Sequence, residues 1–114
     1  MVSKLETYFP KLENGWKSFY PNIYAEPIIY KNSLGEVKIE GLVAGDWTKK
    51  IFTLPPGCKP GKRLIFTVCG NQSYFYRLDI LENGDVYLSV DGSLGIQGSG
   101  WISLTGISFF SKHW

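Results

Sequence analysis

Few side chains in this sequence could perform catalysis. His113 is the only histidine, and it lies one residue from the C-terminus, where chain ends are often poorly ordered. A serine or cysteine nucleophile would therefore have no evident partner base. The carboxylates available for catalysis are Asp46, Asp79, Glu82, Asp85 and Asp91, for which turn and surface positions are the default interpretation. No spacing singles out two of them as the facing pair that a glycosidase requires, so we expect no catalytic residues and no enzyme activity.

Metal and phosphate binding have equally little support in the sequence. Cys58 and Cys69 are the only cysteines, and together with a terminal histidine they do not form a zinc-binding pattern. Residues 83–85 (NGD) and 91–93 (DGS) lack the regular oxygen ligands of a calcium loop, and the glycines of residues 92–100 precede no helix that could cradle a phosphate. We expect no metal, no cofactor and two free thiols, with a disulfide as the less favoured alternative.

Charge and hydropathy exclude two further classes of partner. Twelve Lys and Arg against ten Asp and Glu give a net charge of +2, and the two signs are interspersed. A nucleic-acid-binding domain would usually carry a basic stripe, so we expect no nucleic acid. No apolar run approaches the roughly 18 to 20 residues of a membrane-spanning helix, so we expect no membrane insertion. Charges within residues 1–6 do not fit a secretory signal peptide.

Aromatic residues are the most suggestive feature for binding. Four Trp and seven Tyr exceed what a core of this size needs, and the apolar faces of such rings can stack on the CH groups of sugars. Trp47 lies in a polar stretch between Gly45-Asp46 and residues 48–50, where it could contact a ligand or cover an edge of the core. Core packing is the simpler interpretation of Trp101, Tyr74 and Tyr76.

Hydrophobic periodicity predicts an all-β domain. Residues 36–42 and 85–90 alternate polar and apolar types, which places Val86, Leu88 and Val90 on a buried face, and Asn83-Gly84 is typical of a hairpin turn. The predicted strands are residues 23–30, 36–42, 50–54, 63–69, 74–81, 85–90 and 101–109. Turn residues separate them, at 32–35, 45–46, 55–61, 70–71 and 91–100. We therefore predict an antiparallel β-sandwich or jelly-roll-like barrel of seven or more strands.

A chain of 114 residues fits one domain, which we divide into an N-terminal arm, 1–15, and a β-sandwich, 16–114. In the arm, Val2, Leu5, Phe9 and Leu12 recur at intervals of three, four and three, as in a heptad seam, but Pro10 would stop a helix. The arm is therefore either irregular and packed on the sheet or the end of a coiled-coil neck joining several chains. The abrupt start suggests a piece of a longer protein.

Four sequence segments in order resemble the distal domain of bacteriophage tail fibres. They are residues 12–16 (LENGW), 30–45 (YKNSLGEVKIEGLVAG), 51–60 (IFTLPPGCKP) and 101–109 (WISLTGISF). Cys58-Lys59 departs from the Tyr-Arg of that family, which puts the packing of this loop in question. In this resemblance Gly41 and Gly57 allow backbone bends, and the core contains Phe52, Leu54, Ile107 and Phe109.

The resemblance implies a homotrimer at the distal end of a tail fibre or on the baseplate of a virion, assembled in the host cytoplasm. Its partner would be a bacterial cell-surface polysaccharide or teichoic acid, bound without catalysis. We expect a ligand groove lined by Trp47, Tyr74, Tyr76, Arg77 and Trp101. We expect a trimer interface containing Val2, Leu5, Phe9, Leu12 and Trp16. Two alternatives stay open: a structural trimerisation cap of a fibre, and a monomeric carbohydrate-binding module of a cell-wall hydrolase.

Overall fold

The structure is a computed structural model that describes residues 5–112. Within this range the chain forms twelve strands and one short 3-10 turn, Asn71–Ser73, which confirms the predicted all-β class. The strands are β1 (Glu6–Tyr8), β2 (Lys17–Ser18), β3 (Ile28–Lys31), β4 (Glu36–Glu40), β5 (Leu42–Asp46), β6 (Phe52–Thr53), β7 (Leu64–Gly70), β8 (Tyr74–Ile80), β9 (Asp85–Val90), β10 (Ser93–Leu94), β11 (Ser99–Ser103) and β12 (Ile107–Phe110).

These strands build two antiparallel sheets. The small sheet has the order β1-β3-β4-β12. The large sheet has the order β10-β9-β8-β7-β11-β5-β2, and β6 also pairs with β9. Buried apolar side chains of both sheets form one continuous core, so the predicted sandwich is confirmed.

The core contains most of the residues that the sequence placed inside. Of those that the resemblance implies, Phe52, Leu54 and Ile107 are buried, and Phe109 is partly buried against the core. Val86 and Leu88 are fully buried, but Val90 is exposed and its predicted burial was wrong. The pairing of β9 with β8 ends at Ser89, so Val90 lies beyond the region that the sheet interior covers.

Two predicted strands are each divided between the sheets. Predicted strand 36–42 separates into β4 and β5 at Gly41, and predicted strand 101–109 separates into β11 and β12. The two places where the chain passes between the sheets, at Gly41 and at residues 104–106, are hydrogen-bonded to each other. The Gly41 N–H donates to Thr105 Oγ1 at 2.9 Å, and the Leu104 N–H donates to the Gly41 carbonyl at 2.8 Å. Both segments therefore change sheet at the same place.

Several predicted boundaries were wrong. The predicted strand 23–30 begins only at Ile28, and the predicted turn at 45–46 lies inside β5. The predicted loop 91–100 contains β10 and the start of β11. Gly45 is in a strand because its missing side chain leaves room for Trp16, whose ring would lie 2.6 Å from a β-carbon at that position.

The described part of the N-terminal arm is extended. β1 forms an edge of the small sheet beside β3, and Leu12 packs against the core. The Glu13 N–H donates to the Ile51 carbonyl at 2.8 Å and ties the segment to the sandwich. Helical spacing therefore does not describe residues 6–8, and Val2 lies outside the described residues.

We predict that Gly41→Ala destabilises the domain by about 3 kcal/mol. Gly41 has φ +119°, and a β-carbon there would lie 2.5 Å from the Pro27 backbone. Gly106→Ala is the matched control, because φ is +100° and no atom lies within 4 Å of the added carbon. It should cost about 1–2 kcal/mol from backbone strain alone. Urea unfolding measures both, and equal losses would contradict the steric account of the corner.

Candidate binding surfaces

The five predicted ligand-binding residues do not line one groove. Tyr76 and Arg77 are consecutive in β8, and consecutive side chains of a strand project to opposite faces. Tyr74 shares the face of Tyr76 and is exposed at the start of the strand. Arg77 and Trp101 belong to the outer face of the large sheet, on the side away from the core. The predicted set therefore divides between two surfaces.

Trp47 covers an edge of the core. Its side chain is only 5% exposed, and its indole Nε1 donates to the Gly100 carbonyl at 3.2 Å. The Trp47 ring packs edge-on against Tyr76, with 4.6 Å between ring centroids, and Gly98 lets the backbone approach the indole closely. Of the two interpretations of Trp47, its placement fits the lid over the core edge. Tyr76 shares this packing, and its hydroxyl donates to the Asn71 carbonyl at 3.3 Å.

Trp101 belongs to a cluster of four rings, which we call the aromatic strip: Phe19, Tyr20, Tyr24 and Trp101. Phe19 stacks on Tyr24, with 5.7 Å between centroids and 21° between planes, and on Trp101, with 6.0 Å and 23°. Tyr20 meets Phe19 edge-on at 4.7 Å. Tyr20 and Tyr24 are 63% and 44% exposed, so the strip presents aromatic surface to solvent.

A strand and a tight turn hold the aromatic strip in place. β2 pairs with β5, and the Phe19 N–H continues that ladder to the Leu42 carbonyl at 3.0 Å. The Tyr20 carbonyl then accepts from the N–H groups of Ile23 and Tyr24, at 2.9 and 3.0 Å, which folds the next residues back. A cleft of about 430 Å³ borders the strip and is lined by Lys17, Ser18, Phe19, Tyr20, Pro21 and Ala44.

Sequence reasoning missed three of the four rings in the strip. Phe19, Tyr20 and Tyr24 lie before and within a segment where no alternation marks a face, and the predicted strand was placed over residues 23–30. The available signal was local: three aromatic residues within six positions that also include Pro21 and Asn22. Aromatic side chains in a turn-forming segment are candidates for exposed contacts.

A second cleft lies at the other end of the large sheet. It is an open depression of about 520 Å³, and we call it the arginine cleft: Phe75, Tyr76, Arg77, Ser89, Val90, Asp91 and Ile96. Phe75 is 76% exposed and presents its ring at the cleft. Two of the predicted ligand residues, Tyr76 and Arg77, therefore lie together here.

The arginine cleft is built on a buried ion-pair cluster. Asp79 is fully buried, and its carboxylate accepts from Arg63 Nε at 2.7 Å and from Arg77 Nε at 2.7 Å and Nη2 at 3.0 Å. Arg63 Nη2 lies 2.6 Å from the same carboxylate and completes the ion pair. Burial acts to raise the pKa of Asp79, but the hydrogen bonds and charges of the two guanidinium groups outweigh it, so this pKa lies below its usual value. Arg63 Nη2 also donates to the Gly92 carbonyl at 2.9 Å, which pins the turn between β9 and β10.

A third cleft of about 290 Å³ lies on the small sheet. Tyr30 and Glu40 border it, and the Tyr30 hydroxyl donates to Glu40 Oε1 at 2.8 Å. This hydrogen bond to the carboxylate is the main cause of a raised pKa for Tyr30. Within residues 5–112 no group of three or more His, Cys, Asp or Glu side chains is arranged to hold a metal ion.

The residues predicted for a trimer interface occupy different environments. Trp16 is buried in the core of its own chain, where Nε1 donates to the Lys49 carbonyl at 3.2 Å. Leu12 is partly buried against that core, whereas Leu5 and Phe9 are exposed. Val2 lies outside the described residues. Among these residues, Leu5 and Phe9 therefore offer exposed apolar surface for a subunit contact.

Both cysteines are free thiols, as predicted. Cys58 is buried in the core, and burial raises the pKa of its thiol. Its N–H donates to the Pro55 carbonyl at 3.0 Å, so Cys58 is held by its backbone as well as by core packing. No helix among residues 5–112 has the length and apolar character to span a membrane.

Comparison of the chain with protein-family models, curated proteins and solved structures found no match.

We predict that Asp79→Asn destabilises the domain by about 3 kcal/mol at neutral pH, because it leaves Arg63 and Arg77 without their buried counter-charge. Both arginines are partly exposed, so water screens their charges after the loss of Asp79. The expected loss of stability is therefore at the lower end of the range for breaking a buried ion pair. Urea unfolding measures the loss. The control is Asp46→Asn, since Asp46 is exposed and an amide oxygen can still accept from Thr48. A loss no larger than that of the control would contradict this role of Asp79.

The same cluster predicts the acid sensitivity of the wild type. The folded pKa of Asp79 lies below the unfolded value of about 3.9, so its stabilising effect is complete above that pH and is lost as the pH falls through the folded pKa. Urea unfolding from pH 7 to pH 2 should show this loss in the wild type and a smaller loss in Asp79→Asn. Parallel curves for the two proteins would contradict it.

Proposed function

We propose that this chain is a non-catalytic receptor-binding domain whose aromatic strip binds a bacterial cell-surface saccharide, and that it acts as a homotrimer at the distal end of a phage tail fibre. The observation that carries the binding proposal is the aromatic strip itself. Two exposed tyrosines and a partly exposed tryptophan surround Phe19 beside the large sheet.

The strip has the chemistry that saccharide recognition uses. Apolar ring faces suit the CH groups of a pyranose, while the hydroxyls of Tyr20 and Tyr24 supply polar contacts at the rim. Lys17 and Ser18 line the adjoining cleft and add an ammonium group and a hydroxyl. A polysaccharide could lie along the rings with its polar groups directed to these side chains. Lys17 also suits the phosphate groups of a teichoic acid.

The fibre setting rests on the ordered segments that resemble tail-fibre distal domains, and trimerisation suits weak saccharide binding. One aromatic contact surface holds a sugar weakly, but three linked copies convert the second and third binding events into intramolecular ones. Overall attachment can then exceed that of a single site by about 10²–10⁴-fold without any new contact. Leu5 and Phe9 offer exposed apolar side chains where subunits could meet.

A monomeric carbohydrate-binding module is the second candidate, and one observation favours it. The sandwich closes its core within one chain, and Trp16 and Trp47 are both buried there and not at a subunit contact. A module of this kind would use the same aromatic strip with a single site. The two candidates therefore differ in assembly, not in the binding surface.

We predict that Tyr20→Ala and Tyr24→Ala each weaken saccharide binding by about 3- to 10-fold, because each removes one aromatic contact of about 0.5–1.5 kcal/mol. The measurement is binding of the intact chain to an array of bacterial surface glycans and to purified cell walls. Phe110→Ala is the matched control, since Phe110 is an exposed ring on the small sheet. Unchanged binding by both tyrosine variants, or no binding by the folded wild type, would overturn the proposal for the strip.

We predict that the chain sediments as a trimer and that Phe9→Asp weakens the trimer. The carboxylate that this change introduces would lose its hydration at an apolar subunit contact and gain no partner there, which destabilises the trimer. Analytical ultracentrifugation over a concentration series measures both results. Leu34→Ala, at an exposed apolar residue in the turn between β3 and β4, is the control. A wild type that stays monomeric at all concentrations would reject the fibre setting and favour the module.

A further inference from the structure

Residues with a left-handed backbone are concentrated near the aromatic strip. Within residues 5–112 the non-glycine residues with positive φ are Asn14, Tyr20, Gln72, Ser73 and Asp91. Asn and Asp adopt this conformation readily, whereas the side chains of the other three crowd the backbone there. One of these three, Tyr20, belongs to the strip. The other two follow Asn71, whose Oδ1 accepts from the N–H of Trp101, a ring of the strip, at 3.2 Å.

Gln72 and Ser73 lie at the end of the hairpin between β7 and β8, and we call them the hairpin tip. Their φ angles are +60° and +64°, and the Tyr74 N–H donates to the Asn71 carbonyl across them. Positive φ at both central residues is the mark of a type I′ turn, for which Asn-Gly is a preferred pair. Both side chains are exposed, and within the described part of the chain neither makes a hydrogen bond. The hairpin tip is therefore strained, and its side chains make no hydrogen bond that would offset the strain.

Asn71 fixes the hairpin tip to the strand that contains Trp101. Its Nδ2 donates to the Ser99 carbonyl at 3.1 Å and its Oδ1 accepts from the Trp101 N–H, so the side-chain amide pairs with β11 as a peptide group would. The Asn71 carbonyl also accepts from the Tyr76 hydroxyl at 3.3 Å. Gly100 leaves room for this amide, since a β-carbon there would lie 2.2 Å from Asn71 Nδ2. These contacts hold the strained turn beside the aromatic strip.

We infer that the hairpin tip is a polar extension of the saccharide site on the aromatic strip, and that Gln72 and Ser73 form hydrogen bonds with ligand hydroxyls. This inference rests on the function proposed for the strip. Backbone strain that the surrounding structure holds in place clusters at binding and catalytic sites. Here it fixes the backbone beneath an exposed amide and an exposed hydroxyl next to Trp101. An Asn-Gly turn would be less strained but would lack the hydroxyl and the longer amide.

The chemistry of the hairpin tip indicates which part of a saccharide it would contact. The Gln72 amide and the Ser73 hydroxyl both donate and accept hydrogen bonds, and neither is charged, so they suit a neutral sugar unit. Lys17, which lines the cleft beside the strip, lies on β2, three strand spacings of about 4.8 Å from β7. A single sugar ring does not reach across this distance. The ligand class is therefore an oligosaccharide or polysaccharide that places a neutral, hydroxyl-bearing unit on the hairpin tip.

The double variant Gln72→Asn/Ser73→Gly tests the inference with two readouts. It introduces a preferred pair for a type I′ turn, so Tm should rise by about 3–8 °C in thermal unfolding. It also shortens one polar side chain and removes the other. Calorimetric titration with the array glycan that the wild type binds should therefore show an affinity about 3- to 10-fold lower. Asp91→Gly is the matched control, because Asp91 is exposed with φ +47° in the turn between β9 and β10, and its affinity should match the wild type.

Gln72→Ala separates the amide from the conformation of the turn. It leaves positive φ at this position without Asn or Gly, so the affinity for the same glycan should fall with no rise in Tm. Wild-type affinity in both hairpin-tip variants would overturn the inference, and so would a Tm of the double variant no higher than that of the wild type. If the wild type binds glycans and only Tyr20→Ala and Tyr24→Ala lose affinity, the strip remains the binding site and the inference alone is rejected. A folded wild type that binds no glycan would reject both.

Discussion

The sandwich depends on one close contact between two corners of the chain. At Gly41 the backbone leaves the small sheet and enters the large one, and at Thr105 the returning strand makes the opposite change. Hydrogen bonds between Gly41 and residues 104–105 hold both changes of direction together. Pro27 packs so closely on Gly41 that only a residue without a side chain fits. The relative position of the sheets, and hence of every surface on them, follows from this contact.

Ion pairs, and not apolar packing, hold the side chains in place on part of the outer face of the large sheet. Asp79 is buried on a face that would otherwise be open to water, because Arg63 and Arg77 fold over it and the turn after β9 is held down by Arg63. Ser89, which faces Arg77 in the strand register, is also buried. A cleft with polar walls results on a sheet face, where simple alternation would produce only an exposed polar surface. The cluster gives this end of the sheet a fixed shape without a metal ion or a disulfide.

Sequence reasoning predicted the class of the fold because alternation and turn residues are local signals. It could not predict the change of sheet at Gly41, because the residues that fix this corner, Pro27 and Thr105, contact Gly41 from other parts of the chain. Trp47 follows a polar turn, yet its acceptor, the Gly100 carbonyl, and its neighbour Tyr76 come from distant parts of the chain. The residues of the proposed groove are divided, because Tyr76 and Arg77 border the arginine cleft whereas Trp101 lies in the aromatic strip. Phe19, Tyr20 and Tyr24 lie in an irregular segment where no periodicity indicates exposure.

The strands at the edges of both sheets are short. β2 and β10 have two residues each, β1 has three and β12 has four. An edge strand exposes unpaired backbone groups that can recruit another chain, and a very short strand offers too few of them to form a stable intermolecular ladder. At these four strands, copies of this domain therefore have little free backbone with which to join into a continuous sheet.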